Sequence, residues 1–95
     1  MDIELPTKYD RLNATTRKVV REKYIQIQDN KCWYCDRDLD GNPPQEILDK
    51  PINLRLFPKG FLNHPKHIQH DHNTGLTEGV VHAYCNGVLW QYYGR

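Results

Sequence analysis

The chain has 95 residues, a net charge of +1 and a mean hydropathy of −0.83, with Leu, Ile, Val and Phe supplying only 22 positions. That describes one small domain with a thin apolar core, of the size that a metal, disulfides or a partner commonly stabilises. The same figures exclude a membrane span, a repeat array and a dinucleotide-binding parallel sheet. No basic segment leads into an apolar one, so no signal peptide is expected, and three cysteines favour metal binding over a disulfide framework.

Residues 1–12 read as a flexible lead-in, interrupted by Pro6, and residues 13–95 as a single domain. A helix is predicted from about Asn13 to Asp29, with Asn13, Thr15 or Thr16 as its cap. Val20, Tyr24 and Ile27 form its apolar stripe, widened by Val19. Lys8, Arg11, Arg17, Lys18, Arg21 and Lys23 outnumber Asp10 and Glu22 here, so this helix is basic. Cys32-Trp33-Tyr34-Cys35 then forms a tight knuckle, followed by an acidic loop with Asp36, Asp38, Asp40, Glu46 and Asp49. Gln45 to Asp49 reads as a short helical turn, and Asn53 to Phe57 alternates like a strand. Lys66 to Asp71 and Gly79 to His82 read as paired strands around the turn residues Asn73-Thr74-Gly75. Tyr84 to Tyr93 is a final helix with Val88, Leu89 and Tyr92 on one face and Gly94 as its stop. Trp33, Tyr34, Trp90, Tyr92 and Tyr93 are expected to pack the thin core rather than to form base-stacking platforms. Lys59, Lys66 and Arg95 are candidate phosphate contacts.

Cys32-x-x-Cys35 alone is ambiguous, because the same spacing serves redox dithiols and metal knuckles. His82-x-x-Cys85 repeats the spacing, and no thioredoxin-like βαβ setting is present. Three thiolates and one imidazole make a closed tetrahedral set that suits structural zinc. Such a site would join the knuckle to the C-terminal strand and helix.

His67-Ile68-Gln69-His70-Asp71-His72 precedes Gly79-Val80-Val81-His82-x-x-Cys85-Asn86. Taken with the knuckle, these motifs resemble the HNH (ββα-metal) endonucleases, in particular the phage recombination endonuclease VII type. The resemblance covers about Lys31 to Leu89, apart from the loop between knuckle and strand. It implies a small zinc-stabilised α+β domain of ββα-metal, treble-clef-like fold with an added N-terminal helix. It also implies a cytoplasmic enzyme, in a bacterial host if phage-encoded, that nicks or cuts DNA, most simply duplex DNA. His70 would be the general base, with Asn86 and the residue at Gln69 holding a catalytic cation. His72 would bind metal, orient phosphate or replace a structural asparagine of other HNH proteins. Asp71 reads as a turn former, and His64 and His67 as loop or strand-edge residues.

Two positions depart from the family pattern. His82 stands where the family has a cysteine, a mild change for zinc. Gln69 stands where relatives have Asp or His, and its amide oxygen carries no charge. Mg²⁺ prefers carboxylate help, so either His72 or Asp71 compensates, the cation is a softer Mn²⁺ or Ni²⁺, or catalysis is weak. The alternative is a catalytically weak or inactive zinc module of the same fold that binds nucleic acid or a protein partner.

Overall fold

A computed structural model describes residues 3–94. Helix α1 (Ala14–Ile27) starts at Asn13 in a capping box: the Asn13 side chain accepts from the Thr16 N–H, and the Thr16 hydroxyl oxygen accepts from the Asn13 N–H. The helix buries Val20 and Tyr24. The apolar stripe was expected to run on to Ile27, but Ile27 is 70% exposed. Gln28, four residues beyond Tyr24, faces the sheet instead. Its Oε1 accepts from the Val80 N–H (2.8 Å) and its Nε2 donates to the Val80 carbonyl (2.9 Å). A polar residue thus ends the stripe because it replaces a neighbouring strand. Asp29 and Asn30 then adopt left-handed backbone (φ 55° and 58°), which these two residue types tolerate best after glycine.

Helix α2 (Gln45–Leu48) is one turn that buries Ile47. The alternating stretch at Asn53 to Phe57 is not a strand. Leu54–Leu56 forms a 3-10 turn, because the Asn53 carboxamide accepts from the Arg55 N–H and the Asn53 carbonyl from the Leu56 N–H. A second 3-10 turn covers Phe61–Asn63.

Strands β1 (Lys66–His70) and β2 (Thr77–His82) pair antiparallel, with Ile68 opposite Val80 and Gln69 opposite Gly79. The register then slips, and His70 faces Thr77, leaving Glu78 as an extra residue on β2. Such a bulge bends the strand and re-aims nearby side chains. Helix α3 (Ala83–Tyr93) follows β2 directly, with His82 as its N-cap, and stops at Gly94, which is left-handed at φ 70°. Val88 and Leu89 are buried as the pattern predicts, whereas Tyr92 lies outside and donates its hydroxyl to the Pro51 carbonyl (2.6 Å). The result is a small α+β fold with a two-stranded sheet and three helices among the described residues. Its core joins Val20 and Tyr24 of α1 to Ile68, Val80 and Val81 of the sheet and Val88 and Leu89 of α3. Cys32 and Cys85 are part of that core.

The lead-in expected to be flexible is fastened along residues 3–12. Thr7 exchanges bonds with Thr77 through its carbonyl and N–H, Lys8 bridges Leu76, and the Tyr9 N–H donates to the Gly75 carbonyl (2.9 Å). Ile3, Leu5, Tyr9 and Leu12 pack against the core. The segment borrows a strand edge, a partner that local sequence does not reveal. Trp33, Trp90, Tyr92 and Tyr93 also depart from expectation, being 38–54% exposed rather than core, and Tyr34 only half-buried.

Candidate metal centre and cleft

The knuckle is built by its backbone. The Cys32 N–H donates to the Arg37 carbonyl, the Asp36 N–H to the Cys32 carbonyl, and Asp36 takes a left-handed φ of 63°. The Cys35 N–H points at Cys32 Sγ (3.5 Å). His82 arrives from the end of β2 and Cys85 from the first turn of α3. The donor atoms of Cys32, Cys35, His82 and Cys85 all lie within 4.8 Å of one another. His82 Nδ1 is 3.4 Å from Cys35 Sγ and 3.6 Å from Cys85 Sγ. Tetrahedral zinc, with Zn–S about 2.3 Å and Zn–N about 2.0–2.1 Å, sets its donors about 3.5–3.8 Å apart, so the group fits such an ion.

The surroundings agree with the donors. His82 Nε2 lies 2.8 Å from the Asp38 carbonyl, the contact that fixes the proton on Nε2 and turns the Nδ1 lone pair to the sulfurs. Donation from Cys85 pulls the Cys32 thiol down to about 4, and the same contact pushes Cys85 up. Burial pushes Cys35 up as well. Three sulfurs this close are held as thiolates together only by a cation. The four positions together can hold a zinc ion, and they close its coordination.

A cleft opens between the sheet, α3 and the 3-10 segments. Its cavity of ≈ 370 Å³ is lined by His70, His72 and Asn86, with Tyr9 and an aromatic wall including Phe57 and Trp90. His70 sits between two rings: Tyr9 lies parallel at 4.3 Å (4°) and His72 at 4.8 Å (8°). Stacking holds the imidazole, and among the described residues no backbone carbonyl accepts from it. Burial and the charge of His72 press His70 below its ordinary value of 6.5, against the pull of Glu78, Asp71 and Asp10. Asn86, in the first turn of α3, places Nδ2 3.1 Å from His67 Nδ1. With that nitrogen engaged, Oδ1 is the atom left for a cation. Burial presses His67 down too, which keeps Nδ1 an acceptor.

Gln69 is not brought to this cleft. It is 1% exposed, lines neither of the two cavities that meet at Asn86, and turns its Nε2 to the His70 carbonyl (3.1 Å) and the Glu78 carboxylate (3.5 Å). The bulge that separates Gln69 from His70 is the physical reason. Asp71 is a turn former: its carboxylate accepts from the N–H groups of Asn73 and Thr74 (2.7 and 3.1 Å). Lys66 pairs with Asp40 at 2.9 Å, Lys59 is exposed, and Arg95 lies outside the described residues.

No protein family, curated protein or solved structure matches the chain. Among the described residues no helix is long and apolar enough to cross a membrane.

Two residues at the cleft, Tyr9 and His67, and Gln28, which braces β2, escaped the sequence. Tyr9 carries no motif. His67 was placed at a strand edge, yet it holds Asn86. Gln28 gave one usable signal, a polar residue at the next turn of an otherwise apolar helical stripe.

Proposed function

We propose that the chain is a small zinc-stabilised ββα-type nuclease of the HNH class, which hydrolyses phosphodiester bonds in DNA with a second, divalent cation. The observation that supports it is convergence: His70, His72 and Asn86 line one cavity, beside a β2–α3 junction gripped by three cysteines and a histidine. His70, neutral and held between two rings, takes the proton of the attacking water. Asn86 Oδ1 and the His72 imidazole are the donors for the second cation. The ≈ 370 Å³ cavity adds no carboxylate to them, the nearest lining carboxylate being Asp10 in an adjoining cavity with His70 and His72, so the set suits Mn²⁺ or Ni²⁺ better than Mg²⁺. Such a cation neutralises charge developing on the phosphate and the leaving oxygen. Zinc in the Cys₃His group keeps the two walls of the cleft at a fixed separation, because His82 ends one strand and Cys85 precedes Asn86.

The burial of Gln69 favours a second reading, a non-catalytic module of the same fold. Supercoiled plasmid separates the two. Zinc-loaded protein is incubated with Mg²⁺, Mn²⁺ or Ni²⁺, beside His70→Ala and Gln69→Asp. Nicking is expected with Mn²⁺ or Ni²⁺ and is expected to vanish in His70→Ala. No nicking in any metal, or equal nicking by His70→Ala, would remove the nuclease reading. Activity gained only in Gln69→Asp would establish the module.

A further inference from the structure

Of the aromatic residues expected in the core, Trp90 stands instead along the cleft, beside Phe57 and Phe61. Trp90 is 39% exposed, and it follows Asn86 by one helical turn, so both side chains share a face of α3. Phe57 stacks on Phe61 at 4.4 Å and meets Trp90 edge-on at 5.4 Å. A second cavity of ≈ 290 Å³ continues from the first past Asn86 and Ile68. Its far wall is basic: Arg17 and Arg21, one turn apart on α1. Lys66 also lines it but is tied to Asp40, whereas among the described residues Arg17 and Arg21 have no carboxylate partner. Arg17 also donates to the Leu12 carbonyl (3.4 Å). One groove therefore runs from two guanidinium groups without a carboxylate partner among the described residues, past His67 and Asn86, to the exposed Trp90 and the half-buried Phe57.

We infer that this groove takes a single, unpaired DNA strand, with phosphates on Arg17 and Arg21 and a base laid against Trp90 and Phe57. The inference rests on the nuclease reading for the position of the reacting phosphate and names the substrate class for it. Base faces are covered by their neighbours in a duplex and are open only in an unpaired strand. An apolar wall gains nothing from a duplex backbone, and guanidinium groups gain little from an apolar protein partner. The two ends together match a chain of alternating phosphates and rings.

Binding is measured by fluorescence anisotropy with labelled oligo(dT) and a labelled hairpin duplex, using zinc-loaded protein without added divalent cation. Oligo(dT) is expected to bind more tightly than the hairpin. Trp90→Ala and Phe57→Ala should weaken oligo(dT) on the order of 10-fold and leave the hairpin unchanged. Trp90→Tyr should restore most of the loss, which separates stacking from misfolding. Arg21→Ala should weaken oligo(dT) and flatten its salt dependence. Equal or tighter hairpin binding would overturn the inference, as would equal losses on both ligands in Trp90→Ala. Binding of neither nucleic acid would also overturn it and point to a protein on the aromatic wall. Tight oligo(dT) binding without cleavage in any metal would remove the nuclease reading and leave the groove's occupant standing. Cleavage with duplex preference would do the reverse.

Discussion

In the proposed nuclease His70 is the general base, and its neighbours define when it can act. A general base works only in its neutral form. Burial first, and the charge of His72 second, hold His70 below its ordinary 6.5. Its neutral form therefore persists to lower pH than that of a free imidazole, and the acid limb of the nicking rate is expected below pH 6.5. Tyr9 covers one face of the ring. Tyr9→Ala admits water to that face and is expected to move the limb upward, toward 6.5, in a pH–rate profile. A wild-type limb above that value would show that another group supplies the base. Asn86 illustrates the same dependence through a hydrogen bond instead of a ring. Its amide has two ends, and His67 selects the one that faces the cleft.

Secondary-structure elements meet most tightly at Gly79. A Cβ there would lie 2.7 Å from Gln28 Oε1 and 2.8 Å from the Trp33 ring. Gln28 is pinned at both ends of its amide by Val80, and Trp33 donates its N–H to the same carbonyl. Neither can withdraw without breaking the contact between α1, the knuckle and β2. Gly79→Ala is therefore expected to cost about 1–3 kcal/mol by urea denaturation, the usual scale of overpacking. A neutral result would mean that the knuckle moves independently of the sheet. Elements were also where sequence reading did best and worst. The helix at Asn13, the strand pair and the last helix carry their own signals: a cap, turn residues, a glycine stop. Asn53 to Phe57 alternates but has no strand to pair with, and the Asn53 side chain closes a turn instead. The strapping of residues 3–12 depends on Gly75, Leu76 and Thr77, far along the chain, and has no local signature.

The whole molecule has a thin core, and the Cys₃His group lies inside it. Cys32 and Cys85 are buried with Val80, Val88 and Leu89, so a metal at this group and the apolar contacts form one unit. Structural zinc contributes about 10–16 kcal/mol in zinc-finger peptides, which is at or above the total stability of most small domains. We expect one zinc per chain by metal analysis, and cooperative loss of helical circular dichroism when a strong chelator removes it. Full retention of structure after removal would assign the core's stability to its apolar residues alone. The four clustered positions were legible because two paired spacings and their residue types suffice to mark a candidate metal knuckle. The side chain of Gln69 was not, because a one-residue bulge decides which way it turns. Val80 points to a different property of the molecule. A two-stranded ribbon leaves its outer backbone open to strands from other copies. Here the Gln28 carboxamide occupies both the N–H and the carbonyl of Val80, and Thr7 takes the N–H of Thr77. One side chain and one strap of chain thus cap the outer edge of β2, so a strand from another copy could pair there only by displacing them.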